Sequence, residues 1–85
     1  MSGPVPITVY RRRPCELCEE AIDVIESVAD EAELPVEIET VDVDSDPTLR
    51  DRYGDRVPVV AIAGRERFEL FVDETELLGA LRDAR

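Results

Sequence analysis

The sequence predicts an α/β domain with the element order β-α-β-α-β-β-α, four strands and three helices. Three observations predict it. Short β-branched runs alternate with stretches whose apolar residues fall three and four apart. Proline, aspartate and glycine stand where the elements change. The last two apolar runs are so close in sequence that they form an antiparallel hairpin.

Ile7-Thr8-Val9-Tyr10, after a proline-rich start, is the first strand. Arg11 to Pro14 is a connecting loop. From Cys15 to about Glu33, Leu17, Ala21, Ile22, Ile25, Val28, Ala29 and Ala32 make one helix face. Pro14 precedes its first turn, where a missing N–H costs nothing, and Leu34-Pro35 ends it. Val36 to Val43 alternates apolar with acidic residues and is the second strand. Ser45-Asp46-Pro47 reads as a helix entry, with a capping side chain and an early proline. That short helix passes through Leu49 and Tyr53 and ends at Gly54. Val59 to Ile62 is a strand, Gly64-Arg65 a turn, and Phe68 to Val72 the partner strand. Asp73-Glu74-Thr75-Glu76 resembles a capping box opening a last helix, with Leu77, Leu78 and Leu81 inward.

Eighty-five residues make one domain, spanning 1–85, with one modest core. The longest uncharged apolar stretch, Val57 to Ala63, is far short of the ~20 residues a membrane helix needs. The first four residues carry neither a basic start nor an apolar segment, so no signal peptide is expected and the location is read as cytoplasmic. Net charge is −11, and every one of the ten basic residues is Arg. So acidic a chain is not expected to bind nucleic acid, which needs concentrated positive charge. Two origins fit this composition. One is a halophilic protein, whose self-repulsion vanishes once ~1 M salt cuts the Debye length to about 3 Å. The other is an acidic protein from a GC-rich genome, where Arg also replaces Lys. Stability in dilute buffer against molar KCl separates them: only the first gains strongly from salt.

With no His and no Lys, neither Ser-His, Cys-His nor Ser-Lys nucleophilic sites can form, nor an internal Schiff base. Four scattered glycines make no phosphate loop. What remains reactive is Cys15 and Cys18. Three apart at a helix start, they share one face, and their sulfurs can meet. The helix N-terminus favours a thiolate on Cys15, the species that attacks disulfides. Arg11, Arg12 and Arg13 add positive charge just before it, whereas Glu16 opposes them. The same arginines read equally well as a solvated loop. A purely structural disulfide would close almost no loop. Zinc wants four ligands, and this chain offers two thiols and no imidazole, so no metal is expected unless a dimer shares a four-thiol site.

The layout resembles the minimal, glutaredoxin-sized thioredoxin fold. Three features carry the likeness: the strand leading to Cys15-Glu16-Leu17-Cys18 and a helix, the Val57-Pro58 segment, and the element order across nearly the whole chain. It looks closest to a bacterial and archaeal group of glutaredoxin-like proteins. The matches are Leu17-Cys18-Glu19, Val41-Asp42-Val43-Asp44, Leu49 with Tyr53-Gly54, and Val57-Pro58-Val59. The resemblance implies a four-stranded mixed sheet with Cys15 as nucleophile and Cys18 as resolving thiol. It also implies a cis Pro58, with Val57 offering backbone groups to an extended substrate or to glutathione. Arg12 falls where glutaredoxins often place a basic residue for the glutathione carboxylate, and Asp73 falls near the position that holds its amine. Asp73 also reads as a plain helix cap. Three departures stand out: Glu-Leu between the cysteines, Val57 in place of Thr, and an unbroken Phe68–Val72 where glutaredoxins have a Gly-Gly kink.

The expected activity is therefore thiol–disulfide exchange on protein or small-molecule disulfides by a monomer. No bound cofactor is needed; glutathione or another small thiol, or a reductase, supplies the electrons. The alternative is a binding module that recognises an extended peptide along Val57-Pro58, its thiols incidental or redox-sensing.

Overall fold

A computed structural model describes residues 3–12 and 16–84. The readings that fall on Arg13, Pro14 and Cys15 lie outside the described residues.

The chain forms β1 (Val5–Arg11), α1 (Glu16–Glu31), β2 (Val36–Asp42), α2 (Pro47–Tyr53), β3 (Val59–Ile62), β4 (Arg65–Glu69) and α3 (Glu74–Asp83), with one 3-10 turn at Val43–Ser45. The strands make a mixed sheet in the order β2-β1-β3-β4. β1 runs parallel to β2, antiparallel to β3, and β3 is antiparallel to β4. The α/β order read from the sequence is the order observed.

Alternation along β1 divides the sheet into two sides. Val5, Ile7 and Val9 are buried in one cluster with Ile25 and Val28 of α1 and Leu77 and Leu81 of α3. Tyr10 points the other way, into a smaller cluster formed by Val43, Tyr53 and Val59 beneath α2. No charged side chain is buried among the described residues; the larger cluster is held by aliphatic packing, and the smaller one is built around the Tyr53 ring.

The element ends differ from the sequence reading for identifiable reasons. β1 begins at Val5, because its partner strand begins at Val36, and it extends to Arg11, which pairs with Asp42 and so belongs to the strand, not the loop. α1 stops when Glu33 takes a left-handed φ of 55°. The amide of Leu34 then donates to the Ala29 carbonyl and that of Glu33 to Asp30, a Schellman closure with Glu where Gly is usual. β2 ends one residue early: the Asp42 side chain accepts the Asp44 amide and turns Val43 down into the smaller cluster. Asp46 caps α2 and Pro47 opens it, as the sequence indicates.

The hairpin is shifted most. Its loop is Ala63-Gly64, both at positive φ (51° and 85°), and Ile62 pairs with Arg65. Two left-handed central residues make the turn that matches strand twist. The partner strand is therefore Arg65–Glu69, with an irregularity opposite Val60/Ala61, and not Phe68–Val72. Leu78 is half-buried at the margin of the core, whereas Leu77 and Leu81 are fully inside.

Candidate functional site

Sheet register brings three connections to one end of the molecule. Tyr10 pairs with Val59, and Val59 with Glu69. The segment after β1, the segment before β3 and the segment after β4 therefore leave the sheet side by side. α1 begins there as well.

Cys18 sits in the first turn of α1, fully buried and disulfide-bonded. Leu17 does not join the core face expected of it and is 46% exposed, because it stands at the edge of the buried stripe that Cys18, Ala21, Ile25 and Ala29 form along α1.

The Val57–Pro58 peptide is cis. Pro58 is buried, and its carbonyl accepts the Leu70 amide at 2.9 Å. The N–H of Val57 donates to no backbone carbonyl, and its C=O accepts from no backbone amide, of another described residue.

The chain after β4 is kinked. Leu70 has φ 72°, and the Phe71 amide donates back to the Glu69 carbonyl at 2.9 Å. This is a γ-turn of the rare positive-φ kind, a strained conformation for a branched residue. The sequence contains no glycine here, so the unbroken strand expected across Phe68–Val72 is corrected: the kink exists and Leu70 carries it. Leu70→Gly should therefore stabilise the fold by about 1 kcal/mol, read as a higher urea midpoint.

Arg12 is engaged within the fold. Its Nε donates to Asp44 Oδ2 at 3.2 Å, and Nη1 to the Gly54 carbonyl at 3.4 Å. It ties the start of the β1–α1 connection to the end of α2. Gly54 is needed at this junction, since a Cβ there would meet the Arg50 carbonyl oxygen at 2.5 Å. Arg11, one residue earlier, has its Nε buried without a hydrogen-bond partner among the described residues. Asp73 caps α3 by accepting the Glu76 amide at 3.0 Å.

Behind the site, Tyr53 stacks on Tyr10 with centroids 4.3 Å apart, while Arg52 and Arg56 lie over its ring. Its hydroxyl donates to Glu66 at 2.9 Å. Burial, and then that hydrogen bond, push the Tyr53 pKa above the ordinary 10.0. A raised pKa means the neutral phenol is favoured by folding. Its stabilisation is complete below the ordinary tyrosine range and is lost as pH climbs through the higher folded value. Tyrosinate absorbance should show a component titrating late, absent from Tyr53→Phe.

A family model described as "Glutaredoxin-like domain (DUF836)" matches residues 6–82. The chain belongs to this glutaredoxin-like family. An uncharacterized protein of Mycobacterium tuberculosis, Rv0508, is 37% identical to it over 83 residues, covering 91% of this chain and 81% of that one. Two solved structures resemble the glutaredoxin-like domain at 30% identity. The X. campestris protein XcR50 gives a TM-score of 0.75, covering 93% of this chain and 99% of that one. Ne2328 of Nitrosomonas europaea gives 0.77, covering 94% and 93%. Chloroplastic thioredoxin z, at 18% identity and a TM-score of 0.68, shares the fold. The glutaredoxin-like domain thus has the thioredoxin fold that its sequence resembles.

Proposed function

We propose that this glutaredoxin-like domain is a thiol–disulfide oxidoreductase. The observation that carries the reading is Cys18, buried and disulfide-bonded in the first turn of α1, at the sheet end where the cis Val57–Pro58 segment emerges. A two-electron couple needs a partner sulfur, and the chain contains one other cysteine, Cys15.

In the proposed cycle the Cys15 thiolate attacks one sulfur of a substrate disulfide. A mixed disulfide forms, and the other substrate sulfur leaves as a thiolate that takes a proton. Cys18, deprotonated, then attacks the Cys15 sulfur and expels the second substrate thiolate. The substrate has gained two electrons and two protons, and the protein holds the disulfide. Two thiol groups of a small thiol or of a reductase return it to the dithiol. Val57 offers its amide and carbonyl to an extended substrate as strand-like partners. Arg12 positions the connection leading to Cys15 through Asp44 and Gly54.

The test is the reduction potential. The protein is equilibrated in thiol/disulfide buffers, and alkylated cysteines are counted by mass. A reversible two-electron transition, within the span of about −270 to −120 mV set by related couples, supports the reading. Thiols that stay reduced throughout would sink it.

A further inference from the structure

Three large hydrophobic side chains are exposed among the described residues: Leu17 at 46%, Leu70 at 44% and Phe71 at 72%. All three line one small cavity of about 80 Å³, walled on the α1 side by Ala21 and Val24. The exposure is enforced by the backbone. The Leu70 amide is fastened to the Pro58 carbonyl, and the γ-turn at Leu70 directs the chain so that Phe71 is left largely outside the core. Scattered surface hydrophobics need no explanation, but three gathered around one cavity mark a contact surface.

The charge along its flanking segments is mostly negative. Residues 16–24 and 68–76 hold eight carboxylates and no basic side chain; Glu69 among them is paired with Arg56 at 2.7 Å, and Glu20 lines the cavity itself. Such a rim favours a cationic ligand and repels a small anionic thiol. The register places Val57, whose backbone groups pair with no described residue, on the same end of the sheet. An extended chain paired there would project alternate side chains to one side.

We propose that this surface docks an extended polypeptide that places an apolar side chain between Leu17 and Phe71 and basic residues against the acidic rim. The inference rests on the oxidoreductase reading and narrows its substrate class to disulfides carried by such polypeptides.

Two fluorescein-labelled peptides of equal length test it, each with a Leu-Leu centre and serine in place of cysteine, one flanked by Arg and one by Glu. Anisotropy is measured with the oxidised wild type, with Phe71→Ser and Leu17→Ser, and with a Cys15→Ser/Cys18→Ser double variant. The Arg-flanked peptide should bind more tightly than the Glu-flanked one. Each patch variant should weaken it by at least about tenfold, and the double cysteine variant should bind it like wild type. In turnover, Phe71→Ser should lower by a similar factor the kcat/KM preference for the disulfide-bridged Arg peptide over hydroxyethyl disulfide. Equal binding of both peptides, no binding, or patch variants indistinguishable from wild type would overturn the inference. Tight, Phe71-dependent binding without turnover of either disulfide would instead sink the oxidoreductase reading and leave the docking surface standing.

Discussion

Cys15→Ser should bring disulfide reduction down to the uncatalysed background, while Cys18→Ser should stop the cycle half-way with the substrate attached. The asymmetry follows from the two steps. Without the Cys15 sulfur no mixed disulfide forms. Without Cys18 it forms, but nothing internal resolves it. The attached species adds one substrate mass to the protein and is released by excess dithiol, so intact-mass measurement reads it directly. Burial favours the same division of labour: Cys18 has no exposed surface, so it meets an internal sulfur more readily than an incoming one. Should Cys15→Ser reduce substrate as wild type does, the proposed cycle is wrong.

Leu77→Ala is expected to cost about 2–5 kcal/mol. Leu77 has no exposed surface and packs in the cluster that joins β1, α1 and α3. Truncation removes buried methyl groups and leaves a cavity in a core with few large side chains to collapse into it: none of the four aromatic residues is among its fully buried members. Small domains have only about 5–15 kcal/mol in total, so this single change removes a large share. The urea midpoint should fall with the denaturant slope unchanged. Phe71→Ser, by contrast, removes a ring that is mostly in water and should leave the midpoint nearly where it is.

Sequence patterning located what depends on local periodicity and missed what depends on single dihedrals or distant partners. The spacing from Ala21 to Ala29 gave α1, because burial against one sheet face repeats with the helix turn. Asp46-Pro47 and Asp73 gave two helix starts, because caps act within three residues. The end of β4 was not legible: Leu70 adopts a positive φ that side chains of its kind rarely take, held by hydrogen bonds to Pro58 and across Glu69 and Phe71. Leu17 continues the helical spacing, yet the buried stripe runs through Cys18 and leaves Leu17 at its edge, so pattern alone overcounts the core. Arg12 was legible as a basic residue beside the thiols. Its partner Asp44 lies 32 residues away in sequence, and only the fold brings them together. The best available sequence signal for the exposed patch was the Leu70-Phe71-Val72 run immediately ahead of a helix cap, flanked by Glu69 and Asp73.

The unequal division of the core has a consequence for how the domain breathes. The side holding α1 and α3 is sealed by a broad aliphatic cluster, whereas α2 is secured by Val43, Tyr53, Val59 and a rim of half-exposed Arg–carboxylate pairs. Pairs so exposed contribute little each. The amides of α2 should therefore exchange with deuterium through a local opening well before those of β1 and β3. Tyr53 would loosen in that opening and release its stack on Tyr10, the residue paired with Val59 just beyond the cis-proline. Transient detachment of a seven-residue helix would thus reach the cis-proline end of the sheet while the opposite layer stays shut.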